Sequence, residues 1–324
     1  MGGEVSIGCD LLALVATVGA LVQSHWLLDH PPGHRASAAS AWMRRRSEGY
    51  FCAVLGLFTL TTAMALPARS AAISGLPWDR LGSVLPEVLQ QTHFGRIWLI
   101  RAATVFMLWV ARFALRALRF RPGFAIFAAF CLAVEAWGWS ATGHPGDHGD
   151  LTWAVSVAML HILSAGLWGG TILAVAVVVS PASRRLDALG AETVMRFCQR
   201  LSTGSALGLA LLVATGIYNA WNELGNFPAL WTSAYGQALA IKLGLIAVMA
   251  GIGFGNRYLR IPALVHAYRT HGLADEVVPL QHRASRRLFL AIALEAIVLL
   301  AIMAMVTVLV HTMPPVAMER MTGS

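Results

Sequence analysis

The fold of this chain is decided by a long apolar stretch near its middle, which reads WAVSVAMLHILSAGLWGGTILAVAVVV over residues 153–179. The stretch contains no Asp, Glu, Lys or Arg, and it is longer than the roughly 20 residues that cross a hydrocarbon core of about 30 Å. Inside a bilayer such a segment satisfies its backbone hydrogen bonds as an α-helix. We therefore predict a membrane-spanning helix, with His161 inside it.

Further apolar runs lie on both sides of this stretch. With it they give eight predicted spans, at about 9–28, 50–66, 97–115, 124–142, 153–179, 203–222, 236–257 and 287–311. The 324 residues are 57% hydrophobic and only 12% charged, which is far too apolar for a soluble domain. We predict an all-α, polytopic integral membrane bundle of eight transmembrane helices, forming a single domain over residues 1–324.

The basic residues report topology. The net charge is +8, and all basic residues except Lys242 are arginines that cluster in alternate connections. The clusters are Arg35 and Arg44–Arg46 after span 1, Arg112, Arg116, Arg119 and Arg121 around the end of span 3, Arg184, Arg185, Arg196 and Arg200 after span 5, and Arg257, Arg260, Arg269, Arg283, Arg286 and Arg287 between spans 7 and 8. The opposite connections hold only Arg69, Arg80 and Arg96. This alternation places both termini outside, in the periplasm of a Gram-negative host, and it indicates a lipid bilayer rather than a nucleic acid as the partner.

The N-terminus and the cysteines add two expectations. Glu4 and Asp10 precede any Lys or Arg, so no cleavable signal peptide is expected. The four cysteines are scattered singly without a CxxC pair, which favours packing residues over a disulfide framework or a zinc knuckle.

The loop between spans 4 and 5, residues 140–150, reads SATGHPGDHGD. It offers His144, Asp147, His148 and Asp150 on the outer side, and its glycines allow the backbone to fold back on itself. Imidazole and carboxylate ligands suit copper(II) or zinc. The loop is therefore a candidate metal site, although a polar turn whose histidines meet only water is the alternative.

Two ionisable groups lie inside neighbouring spans. His161 is nine residues from the outer edge of span 5, roughly 13 Å deep, and Glu135 in span 4 is roughly 10 Å deep. Buried ionisable groups are costly and usually paired, so Glu135 is a candidate partner or proton acceptor for His161. The alternative for His161 is a neutral ring bonded to a neighbouring helix.

Spans 3, 7 and 8 add further candidates at the same end. His93 begins span 3, while Arg101 and Lys242 lie one to two turns below the surface, where they either extend outward or neutralise Glu135 and Asp10. These cations would oppose the entry of free metal, which favours handover from a carrier. Near the end of span 8, His311 and Met313 form a second candidate capture pair, because thioethers select copper(I).

The remaining histidines lie in the arginine-rich connections. They are His25, His30, His34, His266, His271 and His282. Nearby arginines disfavour cation binding, so we expect solvated loop histidines here rather than ligands.

Several motifs together resemble the copper resistance protein D family. They are Gly95-Arg96 with Arg101, Thr142-Gly143-His144, His161 through Gly170, Thr215-Gly-Ile-Tyr-Asn-Ala-Trp221, Thr232-Ser-Ala-Tyr-Gly236 with Lys242, Asn256-Arg257 and Pro314-Pro315. The likeness covers about residues 92–315, and spans 1 and 2 match only in general layout.

The resemblance implies an eight-span protein of the bacterial inner membrane that moves copper from the periplasm to the cytoplasm. It implies a separate periplasmic copper-binding partner of the C type, and it carries over His144 and His161 first. The absence of a CxxC pair and of a nucleotide-binding domain argues against an ATP-driven pump. We therefore predict a non-enzymatic copper importer that uses His93, His144, His148, His161 and His311.

Two other functions stay open on sequence alone. A b-type cytochrome would need two facing histidines on different spans, and only His161 is firmly inside one. A non-transporting copper metallochaperone or assembly factor would need the outer histidines but not His161 or Glu135. A conventional hydrolase is not expected, since neither a nucleophile elbow nor an HExxH motif occurs.

Overall fold

The computed structural model describes residues 2–28, 38–117, 121–181, 191–270 and 278–322, and within these ranges the chain is helical without a strand. In these described ranges, eight helices are long and apolar enough to cross a membrane, as predicted. Spans 2, 3, 4, 6 and 8 are the α-helices Ala38–Ser74, His93–Ala117, Arg121–Ala141, Ala191–Leu224 and Val278–His311. Spans 1, 5 and 7 each contain a π-helical turn, and span 1 consists of the α-helix Gly2–Val22 followed by the π turn Gln23–Leu27. Span 5 consists of the α-helix Trp153–Ala165, the π turn Gly166–Gly170 and the α-helix Thr171–Val178. Span 7 consists of the α-helix Ala234–Gly255, the π turn Asn256–Arg260 and the α-helix Ile261–Thr270.

The helices are longer than the apolar runs that predict them. Span 2 was expected over 50–66 and forms a continuous helix over Ala38–Ser74. An apolar run marks the part of a helix that suits hydrocarbon, whereas the helix continues wherever backbone geometry and side chains permit. Arg44–Arg46 are therefore helical residues and not a loop.

The two ends of the bundle differ in charge. The arginine-poor end carries the connections after spans 2, 4 and 6, and the arginine-rich end carries the others. Short helices cover the arginine-poor end: the 3₁₀ turns Trp78–Ser83 and His144–His148, and the α-helices Leu85–Gln91, Ala229–Thr232 and Pro315–Thr322. The chain is therefore ordered on the face where the candidate ligands lie.

Spans 1 and 5 form the centre of the bundle. Span 1 packs against spans 2, 4, 5 and 8. In the most apolar 18 residues of each span, 72% are buried in span 1 and 67% in span 5, but only 17% in span 7. Span 5, which carries His161, is therefore a central helix, whereas span 7 lies largely at the lipid-facing surface.

The centre depends on backbone contact between glycines. A Cβ added at Gly170 would lie 2.1 Å from the carbonyl oxygen of Val15, and one added at Gly19 would lie 1.9 Å from the carbonyl carbon of Gly170. Small residues allow such close approach between membrane helices. The π turn Gly166–Gly170 begins five residues after His161, so this contact fixes the segment that carries the histidine.

Candidate metal-handling site

The loop after span 4 folds back onto the helix that precedes it. A Cβ added at Gly146 would lie 2.1 Å from the carbonyl oxygen of Ala141, and Gly149 has a positive φ of 118° that favours glycine. The indole nitrogen of Trp137 donates to the carbonyl oxygen of Asp150 over 2.8 Å. These features hold the end of the loop against span 4.

This loop geometry brings Asp150 to the first residue of span 3. Nε2 of His93 lies 2.7 Å from Oδ1 of Asp150, and both side chains remain partly exposed. A carboxylate only accepts, so in the neutral ring Nε2 donates and Nδ1 keeps its lone pair. Metal-binding histidines commonly carry such a carboxylate partner on their other nitrogen. In neutral His93 the nitrogen with the lone pair that a cation needs is therefore Nδ1.

A second pair of candidate ligands lies at the end of span 8. Nδ1 of His311 donates to the carbonyl oxygen of Thr307 over 2.7 Å, which leaves Nε2 as the acceptor. His311 and Met313 are both exposed. The following helix packs on the end of span 6, where a Cβ added at Gly225 would lie 2.8 Å from Val316.

These ligands do not form a ready-made coordination site. Among the described residues, no group of three or more His, Cys, Asp or Glu is placed to hold a metal ion. His144 is exposed in its 3₁₀ turn, and the side chain of His148 lies outside the described part of the chain. The described loop residues therefore form no such group, and Asp150 contacts His93 at the start of span 3.

Below this surface lies a polar layer, which we define as Asp10, Arg101, Glu135, His161, Thr215 and Lys242. Counted from the helix ends at the arginine-poor side, these residues lie at similar depths of about 9–14 Å. They come from six different spans. Span 5, with His161, packs against span 4 on one side and span 6 on the other.

His161 is held by span 6. Its Nδ1 lies 2.9 Å from Oγ1 of Thr215, and the Thr215 hydroxyl donates its proton to the carbonyl oxygen of Leu211 over 2.7 Å. One hydroxyl has one proton, so Thr215 accepts from Nδ1 and the lone pair of the ring is on Nε2. Gly216 gives the ring room, since a Cβ there would lie 3.3 Å from Cε1 of His161. The result is a half-buried imidazole whose Nε2 keeps its lone pair.

Arg101 joins two carboxylates in the same layer. Its Nη2 donates to Oδ2 of Asp10 over 2.7 Å, and its Nε donates to Oε2 of Glu135 over 2.9 Å. Thr61 and Thr62 donate to the other oxygen of Asp10, and Thr104 donates to the other oxygen of Glu135. All carboxylate oxygens therefore have donors, as buried charges require.

These contacts differ from the pairing expected between Glu135 and His161. Glu135 bonds to Arg101 and Thr104, whereas His161 bonds to Thr215. The physical reason is charge, because a permanent guanidinium cation attracts a carboxylate more strongly than a neutral imidazole does. Lys242 lies within electrostatic range of His161, and the structure gives it no ion pair with a described residue.

Sequence reasoning missed several polar residues. Thr104 is an ordinary helix residue by type, and Thr215 stands out in the sequence only as the first residue of a family motif. Their contacts with Glu135 and His161 are visible only in the structure. Glu295 in span 8 is buried and accepts from Nδ2 of Asn256 over 2.8 Å. A lone carboxylate inside an apolar run was the available signal for Glu295.

At the arginine-rich end, the described histidines do not belong to a group of residues that could hold a metal ion. Nδ1 of His25 lies 2.8 Å from the hydroxyl of Ser24, and its ring packs against Phe124. His30, His34 and His271 lie outside the described residues, as do Arg35, Arg119, Arg184 and Arg185.

Comparison with known families identifies the chain. Residues 195–309 match the family described as copper resistance protein D, and residues 9–153 match the copper resistance protein D-like N-terminal domain. The chain belongs to the copper resistance protein D family. The match includes spans 1 and 2, whereas most of span 5, with His161, lies between the two matched regions.

Individual relatives agree with this membership. Copper transport protein CutJ of Bacillus subtilis (strain 168) is 31% identical over 210 residues, which cover 62% of this chain and 37% of CutJ. Copper resistance protein D of Pseudomonas syringae pv. tomato is 28% identical over 254 residues, covering 75% of this chain and 76% of the relative. Inner membrane protein YebZ of Escherichia coli (strain K12) is 25% identical over 218 residues, covering 64% and 69%. No solved structure matches the chain.

Proposed function

We propose that this chain is a multi-pass protein of the bacterial inner membrane that binds copper at its periplasmic face and transfers it inward. Family membership supports a copper-related function. Copper transport is in the name of one relative and inner membrane in that of another, and we extend both to this chain. The arginine distribution supports a periplasmic location for the arginine-poor end and both termini.

The observation that carries this proposal is the arrangement of free imidazole nitrogens. His93, at the arginine-poor surface, is oriented by Asp150, and His161, in the polar layer below, is oriented by Thr215. In both neutral rings one nitrogen donates and the other keeps a lone pair. Copper would bind first at the surface, with His144 and His148 from the same loop as further ligands, and then at Nε2 of His161.

His311 and Met313 supply a second capture pair. Their mixed nitrogen and sulfur ligands suit copper(I), while His93 and Asp150 suit copper(II). Both sets are incomplete by themselves, which suits an ion that arrives bound to another protein. We therefore propose delivery by a separate periplasmic copper-binding protein of the C type, whose own ligands complete the coordination during handover.

The polar layer provides charge for the transfer. With Asp10 and Glu135 ionised, two negative charges face the single positive charge of Arg101, and Lys242 supplies the other cation of the layer. The Asp10–Arg101–Glu135 cluster therefore has a formal charge of −1, which offsets the positive charge of Lys242, the cation within electrostatic range of His161. Its Glu135 carboxylate can also accept a proton. An inward cation also gains about 2.3 kcal/mol per charge for each 100 mV of membrane potential.

Copper titration of purified protein tests this proposal. Wild type should bind copper, and His93→Ala and His161→Ala should each reduce the bound amount. His282→Ala, at the arginine-rich end, is the matched control and should bind as wild type. Equal copper in all four proteins, or a haem spectrum that is lost in His161→Ala, would overturn the proposal.

A further inference from the structure

A groove lies between spans 7 and 8 towards the arginine-rich end. It has a volume of about 390 Å³, is open to the surface, and is lined by Ile252, Arg260, Arg287, Leu290, Ala291 and Leu294. We call it the Arg260–Arg287 groove. Its lining combines the positive charges of two arginines with an otherwise apolar surface.

On span 8 the lining residues form one face of the helix. Arg287 is followed by Leu290, Ala291 and Leu294, at spacings of three, four and seven residues, which are neighbours on a helix surface. Arg287 directly precedes the apolar run that starts at Leu288, and Leu294 is about 10 Å further along the axis. The charge therefore lies at the depth of the lipid headgroups, and the apolar part lies at the depth of the acyl chains.

On span 7, the π turn Asn256–Arg260 positions the second cation of the groove, Arg260. Nη1 of Arg260 donates to Oδ1 of Asn256 over 3.1 Å, and Asn256 donates to Glu295 on span 8. A Cβ added at Gly255 would lie 2.8 Å from Nη1 of Arg260, so the guanidinium folds back against a position that has no side chain. Arg260 is thus held at the groove rather than extended away from it.

Both guanidinium groups keep donors for a ligand. A guanidinium has five N–H donors, and the structure gives Arg260 one hydrogen bond and Arg287 none with a described residue. The neighbouring Arg257 is different, because it donates to the backbone and hydroxyl of Ser202 on span 6. Both groove arginines therefore keep N–H donors that no described residue accepts from.

We propose that the Arg260–Arg287 groove binds an anionic phospholipid. The phosphate lies between the two guanidinium groups, and one acyl chain lies along Ile252, Leu290 and Leu294. Guanidinium groups match phosphate geometry, and basic pockets between membrane helices select anionic headgroups. A zwitterionic lipid would add its own cation beside the arginines, and inorganic phosphate would leave the apolar part unfilled.

The bound lipid would join spans 7 and 8. Span 7 has little buried surface, and its contact with Glu295 runs through the same Asn256 that holds Arg260. Lipid binding is independent of copper, since the groove lies on the lipid-facing side of the bundle and uses none of the proposed copper ligands.

Lipid titration of delipidated protein in detergent, read by native mass spectrometry, tests this site. Phosphatidylglycerol should bind more tightly than phosphatidylcholine. Arg260→Gln and Arg287→Gln should each weaken phosphatidylglycerol binding by about fivefold, which corresponds to about 1 kcal/mol per arginine at a membrane surface. Arg286→Gln is the matched control: it removes the same charge from the adjacent position, which does not line the groove, and should bind as wild type.

Leu294→Trp separates a lipid from a free anion. Leu294 is half exposed, so the larger side chain fits at the lipid-facing surface and fills the apolar part of the groove without changing charge. Weaker phosphatidylglycerol binding in this folded variant would support the proposal. Equal binding of the two lipids, equal losses in Arg286→Gln and Arg287→Gln, or full competition by inorganic phosphate would overturn it.

Discussion

In the polar layer, Arg101 connects three spans through its two carboxylate partners. Arg101 is buried between Asp10 and Glu135, and a Cβ added at Gly138 would lie 2.9 Å from its Cγ. The guanidinium thus passes across a position that has no side chain. The cluster ties spans 1, 3 and 4 together and fixes the height of Glu135 beside span 5.

Replacing Arg101 should therefore destabilise the protein strongly. Arg101→Gln leaves two buried carboxylates without their cation, and breaking a buried ion pair costs about 3–5 kcal/mol. Thermal unfolding of the purified protein measures the loss. Adding Asp10→Asn and Glu135→Gln to Arg101→Gln should recover much of it, because neutral groups carry no unpaired charge. A single Arg101→Gln variant as stable as wild type would contradict this role.

Thr215 should matter for copper more than for stability. Thr215→Val removes the oxygen that accepts from Nδ1 of His161, so the ring loses its fixed tautomer. Loss of such a partner typically costs 10–100-fold in metal affinity. Copper titration should show this loss in Thr215→Val and near-wild-type affinity in Thr215→Ser, which keeps the hydroxyl. Identical copper affinities in the two variants would exclude this role for Thr215.

At the scale of elements, the contact between spans 1 and 5 positions the histidine. Gly170→Ala should destabilise the protein by at least the roughly 1–3 kcal/mol typical of overpacking, because the new methyl group meets the backbone at Val15. Gly251→Ala in span 7 is the control, since a Cβ there meets nothing within 4 Å. Thermal unfolding of both variants tests this, and equal stabilities would refute the contact.

The sequence predicts the existence of the spans better than their interior. Apolar runs identify all eight, because hydrocarbon thickness sets a length that composition reveals. The π turns at Gly166–Gly170 and Asn256–Arg260 have no such signal, since glycine-rich or polar helix segments are compatible with regular geometry too. Their shape is set by the neighbouring helices that they touch.

The site could be predicted only in part for the same reason. Depth along a helix follows from counting residues, so Arg101, Glu135 and His161 are recognisable as one layer. The pairing of Arg101 with Glu135 is one of the two alternatives that the sequence offers. The partner of His161 depends on how the helices rotate and pack, and this selected Thr215. Likewise, the loop sequence shows His144 and Asp150 but not that Asp150 reaches His93.

At the scale of the whole molecule, charge should set the orientation. In a chain whose four cysteines are replaced by alanine, Ser83→Cys lies at the arginine-poor end and Arg283→Cys at the arginine-rich end, and both positions are exposed. A membrane-impermeant maleimide should label only Ser83→Cys in spheroplasts, and both after lysis. Labelling of Arg283→Cys alone in spheroplasts would reverse the topology and place the histidines in the cytoplasm.

The proposed function requires copper to pass through the polar layer. Copper uptake into proteoliposomes that contain a trapped copper indicator measures this most directly, with His161→Ala beside wild type and His282→Ala. We expect uptake by wild type and His282→Ala, and uptake at the level of protein-free vesicles for His161→Ala. Uptake by folded His161→Ala at the wild-type rate, or none by wild type while it binds copper, would contradict transfer through His161.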